Sequence, residues 1–144
     1  YLTSYQTYIY PAGGGELQIW FSVTATHFMD ELGALHIFLY ESKDNVNWEH
    51  VETFSHVDNS NMLLENDVVH MDHVTYQGVR GRYYKAYVCI WAGKDGGGDS
   101  RYVWTSVKIA TRYRKSLSGN AQAFNKLWNN LSHFGLLGTY TNQA

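Results

Sequence analysis

Arg82-Tyr83-Tyr84-Lys85-Ala86-Tyr87-Val88-Cys89-Ile90-Trp91-Ala92 is the stretch that decides the fold. Tyr84, Ala86, Val88 and Ile90 share one parity, and Tyr83, Lys85, Tyr87, Cys89 and Trp91 share the other. Successive side chains of an extended strand point to opposite faces, so the first set predicts an inward face and the second an outward one. Downstream, Lys94-Asp95-Gly96-Gly97-Gly98-Asp99 predicts a glycine-rich hairpin loop. Residues 100–110 then return as a strand, with Val103, Thr105, Val107 and Ile109 opposite Tyr102, Trp104, Ser106 and Lys108.

The same alternation runs upstream. Residues 16–26 place Leu17, Ile19, Phe21, Val23 and Ala25 on one face and Gln18, Trp20, Ser22 and Thr24 on the other. Residues 1–10 predict a strand, closed by the turn Pro11-Ala12-Gly13-Gly14-Gly15. A polar turn is expected at Asp30-Glu31-Leu32-Gly33, followed by a strand over 34–41 with Leu35, Ile37 and Leu39 opposite His36, Phe38 and Tyr40. Residues 42–47 form a turn, 48–54 its hairpin partner, 55–61 a polar loop, and 62–76 one long or two short strands. Seven or eight strands at this spacing predict an all-β, antiparallel sandwich over residues 1–111.

The period changes near Ser116. Ala121, Phe124, Leu127, Trp128, Leu131 and Phe134 recur at three- and four-residue steps, which predicts a C-terminal amphipathic α-helix. The basic run Arg112-Tyr113-Arg114-Lys115 reads as a solvated linker, so residues 112–144 are expected to be linker and helix packed on the sandwich.

Gly81-Arg82-Tyr83-Tyr84-Lys85-Ala86-Tyr87-Val88 resembles strand F of immunoglobulin-like and fibronectin type III domains. That resemblance implies a tyrosine corner at Tyr84 and an immunoglobulin/fibronectin-like sandwich. The immunoglobulin cysteine pair is absent, and Trp20 points away from the inward set. The runs 42–48, 81–86 and 91–101 are similar to small secreted β-sandwich proteins of Gram-positive gut bacteria whose function is uncharacterised. This similarity implies secretion and supplies no active site.

Composition narrows the function classes. The chain has 144 residues, net charge −2, and 12 Tyr, 6 Phe and 5 Trp. The length suits one domain, and the apolar content is too high for a disordered segment. No apolar run approaches the roughly 18 residues of a transmembrane helix, and no basic tract suits a nucleic-acid partner. A single cysteine, Cys89, allows no internal disulfide and reads as a packed small hydrophobe. The chain begins at Tyr1, so a removed signal peptide or a trimmed chain is expected, and the localisation reading is secreted or cell surface.

If strands 34–41, 82–92 and 101–110 lie side by side, their outward residues form one aromatic surface of His36, Phe38, Tyr40, Tyr83, Tyr87, Trp91, Tyr102 and Trp104. So large an apolar patch needs a cover or a ligand. The C-terminal helix, a second copy of the chain, or a glycan or protein ligand are the three occupants. The candidate ligand-binding residues are Phe38, Tyr40, Trp48, Tyr87, Trp91, Trp104, Asp95 and Asp99, with loops 29–33, 45–47 and 94–100 as further contact sites.

Competing chemistries are less well supported. His70-Met71-Asp72-His73, with His56 and Asp58, resembles a metal cluster, but strand alternation puts His70 and His73 on opposite faces. Asp95 and Asp99 flank the glycines without a calcium loop's alternating carboxylates. Ser42-x-Asp44 … Trp48 resembles the Asp-box of sialidase propellers, lacking its glycine and one residue short. No G-x-S-x-G or paired carboxylates mark a catalytic centre. The expectation is therefore a non-catalytic extracellular binding or adhesion module without cofactor or metal. The alternatives are a small secreted hydrolase using the 56–73 region and a self-assembling structural surface protein.

Overall fold

The computed structural model describes residues 1–111, and the helix and linker expected over 112–144 lie outside the described residues. The described chain is an all-β antiparallel sheet of seven strands. They are β1 (Leu2–Gly13), β2 (Glu16–Ser42), β3 (Glu49–Ser55), β4 (Leu63–Gln77), β5 (Tyr83–Lys94), β6 (Gly97–Trp104) and β7 (Lys108–Ile109). A single 3-10 turn, Ser60–Met62, leads into β4.

The 27-residue strand β2 organises the sheet. Its first half pairs with β1 and with β4, and its second half with β5 and with β3. Strand β4 follows one edge of β2 past a large bulge, where residues 25–28 of β2 stand against Val68 alone. Strands β1 and β5 therefore succeed one another along the other edge, and β6 and β7 pair with β5.

This corrects the turn expected at residues 30–33. The chain changes direction by bulging and stays in the ladder, with Met29 and Leu32 buried and Glu31, Leu32 and Gly33 paired on both sides. Bulges bend a strand and increase its twist, which is how one strand serves two halves of a curled sheet. A second bulge at Leu35 shifts the parity, so Ala34 is fully buried and Leu35 only half-buried, where the alternation had placed Leu35 inward.

The concave side holds one core. Leu17, Ile19, Phe21 and Val23 of β2's first half meet Ile37 and Leu39 of its second half, with Ile9, Val74, Tyr84, Ala86, Val88 and Ile90. Both halves of β2 feed the same cluster, so the sheet curls around it as a half-barrel. Full burial of a Leu, Ile or Phe contributes about 1.5–3 kcal/mol, so this face drives the curling. One end is closed by backbone bonds: the Gly15 N–H donates to Thr111 O at 2.9 Å, the Gly78 N–H to Gly15 O at 2.9 Å, and the Gly81 N–H to Ala110 O at 2.9 Å.

Tyr84 joins β5 to the end of β2 and to the segment before β5. Its ring is fully buried, and its hydroxyl accepts the Val79 N–H at 2.7 Å and donates to Glu41 at 2.5 Å. Arg82 donates to the other Glu41 oxygen at 2.5 Å. Burial and the neighbouring Glu41 carboxylate both push the Tyr84 phenol above its ordinary range.

Among the described residues no helix is long and apolar enough to cross a membrane.

Candidate functional site: an aromatic outer face

The convex side of β3, the second half of β2, β5 and β6 carries the aromatic residues that alternation assigned to it. The pairs Phe38↔Tyr87↔Trp104, His36↔Cys89↔Tyr102 and Tyr40↔Lys85 place these side chains in adjacent rows. Tyr87 lies 4.6 Å from Trp104 and 5.3 Å from Tyr102, centroid to centroid, and Tyr40 lies 5.5 Å from Trp104. His36 stacks on Phe38 at 5.8 Å, and His50 of β3 reaches Tyr40 at 5.5 Å.

Lys85 ties Trp48 into this group. Its ammonium lies 4.4 Å from the Trp48 ring and 4.8 Å from the Trp104 ring. The ring quadrupoles attract the cation, so one lysine links the two indoles. Sequence reading chose both tryptophans but missed Lys85 as their link. The signal was present, because Lys85 shares the parity of Tyr83 and Tyr87.

The surface is open to solvent. Tyr102 is 56% exposed and Trp104 48% exposed. Beside Trp48 a shallow recess of about 260 Å³ is lined by Glu41, Ser42, Lys43, Asp44, Asn47 and Glu49. Asp44 shapes its rim by accepting the Val46 N–H at 2.9 Å, the Asn47 N–H at 2.8 Å and the Asn47 amide at 2.8 Å. These bonds hold its carboxyl well below the usual carboxylate range. Asn45 takes a positive φ of 62° in this turn.

Trp91 belongs to the same convex side but lies apart from the ring cluster. Its indole rests over Gly93 and Gly98, where an added Cβ would come within 2.7 Å and 2.6 Å of the ring. The indole N–H points to Glu31 at 3.3 Å. Two of the glycines near the hairpin therefore make room for a ring.

The remaining candidates do not join the rings. The expected loop 94–99 is a tight turn at Asp95-Gly96, with φ of 53° and 79°, and residues 97–99 are already in β6. Asp99 accepts from the Leu2 N–H at 3.3 Å and from the Tyr1 amino group. The Asp95 N–H donates to Asp30 at 2.7 Å, and Lys94 donates to Phe28 O at 3.2 Å. Loops 29–33 and 94–100 thus meet, but they pin the β2 bulge to the β5–β6 turn, away from Trp48 and Trp104.

The histidine stretch separates as alternation predicts. His70 faces the core opposite Val23, and His73 faces outward opposite Trp20, stacked on its indole at 4.3 Å. Among the described residues no group of three His, Cys, Asp or Glu side chains converges as a metal site would require. Cys89 is buried beneath the aromatic face.

His70 makes the fold sensitive to acid. Its Nδ1–H donates to Leu32 O at 2.8 Å, across the β2 bend, and the residue is only 1% exposed. Burial holds its pKa below the ordinary histidine value of 6.5, against the opposing pull of the Leu32 carbonyl, Asp72, the Asn61 backbone and Asp67. His73 is lowered in the same direction, again by burial, opposed by Asp72 and Glu16. The unfolded chain therefore binds these protons first. Stability is complete above about pH 6.5 and falls as pH drops below it. Urea unfolding midpoints recorded between about pH 7.5 and pH 5 should decline toward acid and decline less in His70→Gln. A flat wild-type profile would refute this.

No family model, no curated protein and no solved structure matches the chain.

Proposed function

We propose that this chain is a non-catalytic extracellular binding module, and that a glycan stacks on its aromatic outer face. The observation that carries the reading is the open cluster of Trp48, Lys85, Trp104, Tyr40, Tyr87 and Tyr102, with Trp104 and Tyr102 about half exposed. The core is filled by the opposite parity, so folding does not require these rings outside.

The chemistry favours a sugar over an apolar protein surface. The rings of Trp48, Tyr40, Tyr87, Tyr102 and Trp104 each combine a flat π face with a polar edge, and Lys85 adds a charge between two of them. Such rings cover the C–H faces of a pyranose while indole N–H, phenol and ammonium groups address its hydroxyls. The recess beside Trp48 adds carboxylate and amide groups at one end of the row. Secretion, which the similarity to small secreted bacterial proteins implies, accords with a glycan ligand. The Tyr84 corner supports reading the sheet as a divergent relative of immunoglobulin-like and fibronectin type III domains.

Titration with soluble glycans (a mixed-linkage β-glucan, xylan and a chitooligosaccharide) should shift intrinsic tryptophan fluorescence with at least one of them. Trp104→Ala or Trp48→Ala should weaken that binding by about tenfold or more, as removal of a central aromatic contact does. Absence of binding across neutral and charged glycans, or unchanged affinity in both variants, would overturn the proposal. Concentration-dependent mass abolished by Trp104→Ala would instead make the face a self-association surface.

A further inference from the structure

Register places Lys85 in the middle of the aromatic rows, opposite Tyr40 and two residues from both Tyr83 and Tyr87 on β5. The neighbouring pairs Phe38↔Thr53, Tyr40↔His50, Phe38↔Tyr87 and Tyr87↔Trp104 bring no Asp or Glu to that side. Glu52 and Glu49 pair with Leu39 and Glu41, which have the inward parity and are buried.

The Lys85 side chain is half-buried, with its ammonium 4.4 Å from the Trp48 ring and 4.8 Å from the Trp104 ring. Among the described residues no carboxylate lies within ion-pairing distance of it. An ammonium carries three N–H donors, and ring faces offer no oxygen to accept them. The nearby acids are engaged elsewhere. Asp44 accepts from Ser42, Val46 and Asn47, and Glu41 from Arg82 and Tyr84. The ladder beyond β5 is also open at this point. Tyr87 pairs with Trp104 and Tyr84 with Lys108, and Lys85 has no strand partner between them. Ser106 and Val107, in the connection between β6 and β7, are exposed.

We propose that the glycan bound by this face is acidic, and that Lys85 pairs with the carboxylate of a hexuronate unit stacked on Trp104 or Trp48. This rests on the glycan reading above and names the class of sugar within it. A hexuronate carries its carboxylate on the carbon next to the ring oxygen, at the edge of the pyranose. A unit lying flat on either indole can bring that edge to the ammonium that both indoles contact. A half-buried cation is less well hydrated than one in open water, so an ionic hydrogen bond to it gains more than at an exposed lysine. A neutral sugar keeps the stacking contact and forgoes the ion pair.

The test follows tryptophan fluorescence of the full chain with oligomers of galacturonate, mannuronate and glucuronate, each beside its own methyl ester. Esterification keeps ring and linkage and removes the charge. At least one acid should bind about tenfold tighter than its ester, the gain of one charge-assisted hydrogen bond. Lys85→Met, which keeps the length of the side chain, should bring acid and ester to equal affinity, and Lys85→Arg should retain the preference. If Lys85→Met loses the native far-UV spectrum, the same comparison in Lys85→Gln and in the wild type decides. Equal affinity of every acid and its ester would overturn the uronate assignment and leave the glycan reading standing. A preference for acid that survives loss of the Lys85 charge would place the counter-charge elsewhere and overturn it too. Failure of every acid and ester to bind also overturns the assignment, and failure of the neutral glycans as well removes the glycan reading with it.

Discussion

Gly33→Ala is expected to cost the chain its native sheet. Gly33 sits where β2, β4 and β5 meet, at a φ of 151°. An L side chain rarely adopts that backbone conformation, and the strain alone is of order 1–3 kcal/mol. The added methyl would also lie 2.0 Å from Met62 O and 2.6 Å from His70 Nδ1. The first is a backbone oxygen on the turn that opens β4, and the second belongs to the histidine that bonds Leu32 across the bend. Neither can yield without breaking the corner between the two halves of β2. The combined loss should reach about 4 kcal/mol or more, a large share of the 5–15 kcal/mol that stabilises a typical domain. Thermal unfolding followed by circular dichroism should show a transition lowered by about 15 °C or lost. Gly96→Ala is the control: its φ is 79°, but nothing lies within 4 Å of the new methyl, so only about 1 kcal/mol of strain is expected. Equal effects at the two glycines would remove the corner argument.

Tyr84→Phe should be the second most damaging of these changes, although it removes a single oxygen. The ring stays in place beside Tyr76, 6.2 Å away. The lost hydroxyl leaves the Val79 N–H without its acceptor and one oxygen of Glu41, itself only 7% exposed, without its donor. The Val79 N–H is only part-buried and its loss costs toward the lower end of about 1–3 kcal/mol, whereas a buried carboxylate deprived of a partner costs more. A loss of about 3 kcal/mol by urea denaturation is therefore expected. Adding Glu41→Gln should recover part of it, because the neutral amide needs less compensation than the carboxylate. A loss below about 0.5 kcal/mol in Tyr84→Phe would mean that water replaces the hydroxyl and that the corner is not closed.

Much of this was legible in the chain. Tyr84 was marked by parity with Ala86 and Val88. Its partner was legible too, because Glu41 shares the parity of Ile37 and Leu39, yet an acid in a strand is ordinarily read as solvent-facing. The turn expected at Asp30–Gly33 failed for a different reason. Polar residues and a glycine signal a reversal, but here two neighbouring strands keep the segment in the ladder and the bulge at 25–28 supplies the bend. Leu35 went astray because a bulged residue shifts the parity of its strand. The acidic pair Asp95 and Asp99 separated because the glycine run contributes a tight turn followed by strand.

The sequence by itself determined which side chains share a face. That property depends on a two-residue period and can be read from a few neighbours. It grouped the rings of Phe38, Tyr40, Tyr87 and Trp104, put Trp20 outward, and separated His70 from His73. Only the tertiary structure decided which outward faces stay open. Trp20 and Trp104 have the same local pattern, yet one is buried and the other half exposed. Burial depends on which distant segment lies above a residue, and no local period carries that information.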